Sequence, residues 1–182
     1  MHFREKNNKR YPITDSLARQ HLRIGDATHD HALIESKLEM AIGIAEDMTN
    51  RYICGYDVVF DVLLPVGESI VTLPVYTESV SGIFFSSGMP LPTKDYMLLS
   101  SDDSCILVFD NLSVQGMPLL VHANIGYSEA SLPAAIKAAI LLLLGTLYDN
   151  ESDQIVGRSV SELSLTAEKL LLPWRINPYG DV

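Results

Sequence analysis

Residues 131–153, SLPAAIKAAILLLLGTLYDNESD, decide the fold, because they are almost uncharged for four turns and then become acidic. Between Ala134 and Tyr148 only Lys137 is charged, which gives an apolar run of 15 residues, or roughly 22 Å of helix at about 1.5 Å per residue. A membrane span needs about 20 residues. We therefore expect a helix over 132–150 that protein buries on most of its circumference. Because one chain of 182 residues hardly surrounds such a helix, we also expect copies to contact one another.

The charge of the chain limits its partners. With 23 acidic residues against 13 Lys and Arg, the net charge is −10, which argues against nucleic acid because phosphate binding needs an excess of cations. The first ten residues are an exception, since one acid, Glu5, is set against four cations: Arg4, Lys6, Lys9 and Arg10. We expect a basic N-terminal arm over 1–12 that is solvated, or that docks on an acidic surface of a partner. No secretion signal is recognised, so the cytoplasm is the expected compartment.

Two helices are predicted before residue 55. The stretch ITDSLARQHLRI predicts a short helix capped by Thr14. The clearest helical period of the sequence follows, with apolar residues in steps of four and three: Ile34, Leu38, Ala41, Ala45, Met48 and Tyr52. Such a seam is typical of a helix packed inside its own domain, and also of a coiled-coil contact between subunits. Internal packing is the preferred interpretation.

After Gly55 the apolar period becomes two, as in half-buried strands, and about six short strands are predicted over 56–127. A last short helix ends before Pro173. The predicted fold class is therefore α+β: a helical bundle of about four helices around a long apolar central helix, with an inserted antiparallel β segment. The predicted domains are a basic N-terminal arm, a helical core in two pieces, the β segment and a C-terminal tail: 1–12, 13–55 with 128–172, 56–127 and 173–182.

No catalytic chemistry is recognised in the sequence. The segment GYSEA around Ser128 lacks the second glycine of a nucleophile elbow. His29 and His31 are two residues apart, whereas a metal-binding pair on a helix needs a spacing of four. We therefore predict that the protein is not an enzyme.

Metal and cofactor sites are not predicted either. The acid pair Asp102 and Asp103 falls in a turn, without the six or more converging oxygens that calcium requires. Cys54 and Cys105 have no metal-site spacing and are predicted to be reduced structural thiols. No glycine-rich phosphate-binding loop is present, so the expected cofactor content is none.

Five features follow one another along the chain in an informative order. They are a short N-terminal helix, a long helix ending in AEDMTNRYI, a strand segment closing in VHANIGY, the sequence LPAAIKAAILLLLGTLYDNESD, and a tail reading LLLPWR. Together they resemble the head-tail connector family of tailed bacteriophages and prophages, also called adaptor or head-completion proteins. The resemblance covers residues 13–175 and is closest to the branch in which a β insertion separates the second and third helices.

This resemblance implies a virion structural protein rather than an enzyme. It implies a homo-oligomeric ring of about a dozen copies that docks beneath the portal after DNA packaging, extends the DNA channel and offers a platform to the tail. The implied partners are other copies of the chain, the portal protein and a tail-completion protein. DNA passes through without specific binding, and no membrane is involved. The implied location is the head-tail junction of the virion, with assembly in the host cytoplasm.

Two sets of candidate residues accompany this hypothesis. The candidate subunit or portal interface consists of apolar residues on the helices and the tail: Ile34, Leu38, Met48, Leu141, Leu144, Tyr148, Leu171, Leu172, Trp174 and Tyr179. The candidate acidic channel or partner surface consists of five aspartates: Asp57, Asp61, Asp102, Asp103 and Asp110. For Trp174 an alternative stays open, in which it covers the core of its own subunit.

Other functions stay open at this stage. The main alternative is an oligomeric binding module, in which the β segment recognises a ligand or a host surface and the helices serve as a stem. A hydrolase that uses Ser128 is the third candidate, and the sequence offers it least support.

Overall fold

The computed structural model describes residues 2–25, 31–74, 76–100, 105–149 and 165–176. The chain divides into two compact units. The strand unit comprises residues 1–10 and 54–127, and the helix unit comprises residues 11–53 and 128–182. The strand unit is thus formed by the start of the chain and one long internal segment.

Seven strands make two antiparallel sheets in the strand unit. The four-stranded sheet has the order β1-β2-β7-β4, and the three-stranded sheet has the order β3-β6-β5. The strands are β1 His2–Arg10, β2 Gly55–Leu63, β3 Ile70–Leu73, β4 Thr77–Phe85, β5 Tyr96–Ser100, β6 Cys105–Phe109 and β7 Pro118–Ile125.

Alternate residues of the central strands build the core of this unit. In β2 they are Val58, Phe60 and Val62, and in β7 they are Leu119, Val121, Ala123 and Ile125. The middle strand of the smaller sheet buries Cys105, Leu107 and Phe109 in the same way. This period of two is the sequence signal that predicted strands here, since successive side chains of a strand point to opposite faces.

Four helices make the helix unit: α1 Asp15–Leu22, α2 His31–Thr49, α3 Ala134–Asp149 and α4 Leu165–Leu171, the last followed by a 3₁₀ turn over Leu172–Trp174. The Oγ1 of Thr14 accepts a hydrogen bond from the backbone N–H of Leu17 and caps α1. Helix α3 packs against the other three helices. It buries one stripe of side chains: Ile136, Ala139, Ile140, Leu143, Leu144 and Leu147.

The predicted fold class is wrong. The protein is α+β, but two antiparallel sheets with seven strands take the place of a helical bundle with a β insert. Helix α3 has 16 residues and is not buried on all sides, because Ala138 is exposed and Leu141 is half-buried. Apolar side chains are common on protein surfaces, so an uncharged run does not by itself require cover all round. The prediction that copies must contact one another to cover this helix rested on its burial on most sides, so that argument fails as well.

The N-terminal segment also differs from the prediction. Residues His2–Arg10 are not an arm but strand β1, which pairs antiparallel with β2. The prediction failed because β1 lies at the edge of its sheet, where the charged side chains from Arg4 to Arg10 remain exposed to water as they would in a solvated arm. Charged edge strands are a common way to keep a sheet from pairing with other chains.

Gly126 provides a test of the strand unit. It has φ of +82°, and a Cβ built on it would lie 1.9 Å from the carbonyl oxygen of Cys54. We expect Gly126→Ala to lower the free energy of unfolding by about 2–4 kcal/mol, since both the backbone angle and the contact oppose a side chain. Urea unfolding followed by circular dichroism measures this.

Gly43 is the matched control. It lies inside α2, and a Cβ there would meet nothing within 4 Å. Gly43→Ala should therefore raise the stability by roughly 0.5–1 kcal/mol. Equal stabilities of Gly126→Ala and the unchanged protein would contradict the role given to Gly126.

Candidate assembly surfaces

The described residues show no arrangement that suggests catalysis. Within them, no group of three or more His, Cys, Asp and Glu side chains could hold a metal ion. In the same part of the chain, no helix is long and apolar enough to cross a membrane. Ser128 and Ser131 bond to each other, with their Oγ atoms 2.9 Å apart and the N–H of Ser131 donating to the Oγ of Ser128 at 3.2 Å. These hydrogen bonds close the turn that precedes α3.

Cys54 and Cys105 are both buried thiols that are not joined in a disulfide. Desolvation by burial raises the pKa of the Cys105 thiol above its ordinary value. Since the thiolate is the reactive form, a buried thiol of raised pKa is chemically quiet. The sulfur of Cys105 lies 3.9 Å from the carbonyl oxygen of Thr77, inside the strand unit.

The predicted interface residues on the helices fall into two groups. Ile34, Leu38 and Leu144 are almost completely buried within the chain. The structure therefore assigns them to the interior of the subunit rather than to a contact between subunits. Met48, Leu141 and Tyr148 are half-buried and keep some surface for a neighbour.

The C-terminal residues are fastened to the end of α2. The N–H of Ile176 donates to the carbonyl of Thr49 at 2.8 Å, and the Nδ2 of Asn50 donates to the carbonyl of Ile176 at 3.1 Å. The Nε of Arg51 donates to the carbonyl of Trp174, and the guanidinium lies 5.8 Å from the centre of the indole ring, within the range of a cation–π contact. We call residues 49–51 and 174–176 the C-terminal clamp.

The clamp decides between the two interpretations of the tail. Leu171 is buried and Trp174 is half-buried against its own chain, which favours the alternative that Trp174 covers the core of its own subunit. Leu172 is 62% exposed and remains available to a partner. Tyr179, which was predicted to belong to the same surface, lies outside the described residues.

The predicted acidic surface is partly neutralised by β1. The carboxylate of Asp57 accepts hydrogen bonds from Asn8 Nδ2 and from Arg10 Nη1, both at 2.6 Å. These two donors, the amide first, lower the pKa of Asp57 below its ordinary value. Asp61 lies 3.8 Å from the guanidinium of Arg4. The basic segment therefore docks on an acidic strand of its own chain.

Other contacts support the attachment of β1. The ring of Phe3 lies 4.9 Å from that of Phe60, and the Nζ of Lys6 lies 3.8 Å from the centre of the Tyr56 ring. Of the remaining predicted acids, Asp110 is exposed after β6, whereas Asp102 and Asp103 lie outside the described residues.

The outward faces of the two sheets differ in chemistry. In the four-stranded sheet, Asp57 and Asp61 of β2 lie beside Asn124 and Leu120 of β7, and His122 rests against Phe84 at 4.8 Å between ring centres. This face mixes charged and polar residues with apolar ones, since Val59, Leu63 and Phe84 also lie on it. The three-stranded sheet has an outward face with only one polar residue among the six side chains in register: Ile70, Thr72, Ile106, Val108, Met97 and Leu99.

Sequence reasoning named Asp57 and Asp61 of the first face, but it missed the apolar face of the three-stranded sheet and the pairing of β1. The segments IVTL, CILVF and YMLLS are apolar at nearly every position rather than at every second one. Such runs are typical of strands with two apolar faces. The signal was therefore present. The pairing of β1 could have been inferred from opposite charges on two segments, the cations of RxKxxKR and the two aspartates of DVVFD.

Comparison with known proteins identifies the fold. No protein-family model matches the chain, and no curated protein is similar to it. Among solved structures, a chain from the neck of an empty gene transfer agent (GTA) particle, computed with C6 symmetry, shares 18% identity over 94% of this chain and 95% of that chain, with a TM-score of 0.65. A chain from the neck of a native GTA particle, computed with C12 symmetry, shares 17% over 96% and 95%, with a TM-score of 0.63.

A third chain, from the virion of a native GTA particle, shares 20% identity over 90% of this chain and 89% of that chain, with a TM-score of 0.61. The protein thus has the fold of chains from phage-like particles. At the level of the fold, this confirms the predicted resemblance to connector-type structural proteins.

The attachment of β1 predicts a dependence on salt and pH. A carboxyl of lowered pKa stabilises the folded state above its unfolded pKa of about 4, and this contribution is lost as the pH falls through the lower folded value. Asp57→Asn should lower the protection of the β1 amides from hydrogen exchange roughly two- to fivefold at neutral pH, because an exposed charge pair contributes at most about 1 kcal/mol. High salt should reduce the difference.

Asp110→Asn is the control, since it removes the same charge from an exposed site after β6. It should leave β1 protection unchanged. Equal protection in Asp57→Asn and Asp110→Asn would show that the backbone ladder alone holds β1.

The C-terminal clamp can be followed by fluorescence, because Trp174 is the single tryptophan of the sequence. Arg51→Ala removes the donor to the Trp174 carbonyl and the cation beside the ring, so we expect the emission to shift to longer wavelength. Arg175→Ala, at the exposed neighbouring position, should leave the emission in place. An unshifted spectrum in Arg51→Ala would show that the clamp does not hold the indole.

Proposed function

We propose that the protein is a non-enzymatic structural component of the neck of a phage-like particle, where it acts as the head-tail connector. The observation that carries this proposal is the match of fold over almost the full length of chains from GTA necks and virions. That match includes the strand unit as well as the helix unit, so the β segment is part of the shared fold rather than an element peculiar to this chain. It therefore supports the connector over the oligomeric binding module.

In this role, copies of the chain form a ring beneath the portal and offer the tail its attachment surface. The C6 and C12 symmetry of the similar necks supports such a ring. Rings are built from heterologous contacts, in which one surface of a subunit meets a different surface of the next. The portal and a tail-completion protein are then the partners at the two ends, in the assembled virion and during assembly in the host cytoplasm.

The charge of the chain fits a channel through which DNA passes without being held. The net charge of −10 provides repulsion, since tight binding of phosphates requires cations that release counterions. Asp57 and Asp61 contribute little to this, because Arg10 and Arg4 accompany them. The channel wall would draw its charge from exposed acids such as Asp110.

Removal of the gene provides the test in the host that produces the particles. Without the protein, we expect heads that contain DNA but carry no tails, and a copy of the gene supplied in trans should restore tailed particles. Electron microscopy counts the two forms, and labelled protein should be seen at the neck. Tailed, infectious particles formed in the absence of the protein would contradict the proposal.

A further inference from the structure

The outward face of the three-stranded sheet is an apolar surface in register. One row across the sheet joins Ile70, Val108 and Met97, and the next joins Thr72, Ile106 and Leu99. The three large side chains on the outer strands are about half exposed: Ile70 at 47%, Met97 at 53% and Leu99 at 44%. No charged side chain belongs to these six positions.

This face differs from an ordinary solvated sheet face. Antiparallel sheets that face water usually carry polar residues on the outward face, and the four-stranded sheet of the same unit has Asp57, Asp61 and Asn124 there among its apolar residues. In β6 the alternation is lost, because its inward and outward residues are all apolar. Contiguous apolar side chains without a charge make this face a candidate contact site, although its area is below the few hundred Å² above which apolar patches regularly mark one.

We infer that this face is a contact surface for a second copy of the same chain. The inference deepens the proposed function and rests on it. Charge is the first argument for the occupant. Every copy carries −10, so two copies repel each other, and a contact through the six uncharged outward positions adds no close pair of like charges to that repulsion.

Size is the second argument. Three half-exposed side chains leave on the order of 200 Å² of apolar area, whereas a stable interface takes about 800 Å² from each partner. The face is therefore too small to hold an isolated dimer. It suits a ring, in which each copy has two neighbours and closure combines many weak contacts, and the similar chains come from necks with C6 and C12 symmetry.

Ring symmetry also defines what the face meets. In a closed ring the contact is heterologous, so the sheet face of one copy lies against another surface of the next copy and not against the same sheet face. Exposed apolar side chains elsewhere on the chain, such as Leu172 and Leu165, supply candidates for that opposite surface.

A pair of double variants tests the contact. Met97→Glu with Leu99→Glu places two charges on the face, and burial of a charge without a partner is strongly unfavourable. We expect at least about a tenfold loss of copies incorporated into particle necks. Met40→Glu with Met89→Glu adds the same charge at two exposed methionines outside the face and should incorporate normally. Circular dichroism and thermal unfolding establish that both variants are folded.

A photo-crosslinking amino acid at position 97 tests the contact without disrupting the fold. Irradiation of assembled particles should give a covalent dimer of this chain, and mass spectrometry should place the second attachment point outside β3, β5 and β6. The same amino acid at position 89 is the control and should give no such dimer. A crosslink from position 97 to a different protein, or no crosslink there, would overturn the inference.

The outcomes separate the inference from the proposed function. If the unchanged protein is found in necks and the Met97/Leu99 variant incorporates equally well, the contact surface is wrong while the connector role stands. If the unchanged protein is absent from necks, the connector role is wrong. The surface is then judged on concentrated purified protein carrying the photo-crosslinking amino acid at position 97, where the absence of a crosslinked dimer of this chain would overturn it as well.

Discussion

The strand unit depends on the close approach of two backbone segments where the chain enters and leaves it. Gly126 follows β7, Cys54 precedes β2, and a Cβ on Gly126 would lie 1.9 Å from the Cys54 carbonyl oxygen. The ladder continues from there, with Tyr56 opposite Ile125 and Leu63 opposite Pro118. Because the two ends of the internal segment lie side by side, the unit can be inserted into another chain segment without a long connection. Gly126 thus permits the close approach of the two ends of this segment.

The charged side chains of β1 and β2 interact mainly with each other, within the subunit. The sequence separates its charges, with cations at the start and acids over the strands, and the structure brings them together in β1 and β2 through Arg10 with Asp57 and Arg4 with Asp61. Each of these exposed pairs contributes little stability alone. Together they favour one register of β1 against β2. The backbone of an edge strand can slip along its neighbour, whereas charged side chains at fixed positions favour one alignment. The net charge of the chain is negative, so a contact between copies through uncharged surface avoids further close repulsion.

The sequence predicts periodic elements well and burial on all sides poorly. The seam of Ile34, Leu38, Ala41 and Ala45 lies on the buried face of α2, and the alternation of Val58, Phe60 and Val62 gives the buried face of β2. The uniform apolarity of α3 has no period, so it says nothing of how many sides are covered, and the helix buries only one stripe. Strand β1 escaped recognition because an edge strand keeps charged side chains, which composition alone cannot separate from a solvated arm. The clamp escaped because it uses backbone carbonyls of residues 49, 174 and 176, which leave no mark in a sequence.

The interface residues show why apolar character must be weighed against burial. Leu144 and Leu99 are the same residue type, yet the first has no exposed surface and the second keeps 44%. The residue in α3 lies on the stripe that meets the other helices, so its apolar side chain is already used by the fold. Leu99 lies on an outer strand of its sheet, on the face opposite the core. Its side chain therefore stays partly exposed. Apolar surface that the chain leaves uncovered is the part of the molecule available to another copy, and three such side chains of the strand unit, Ile70, Met97 and Leu99, share one sheet face.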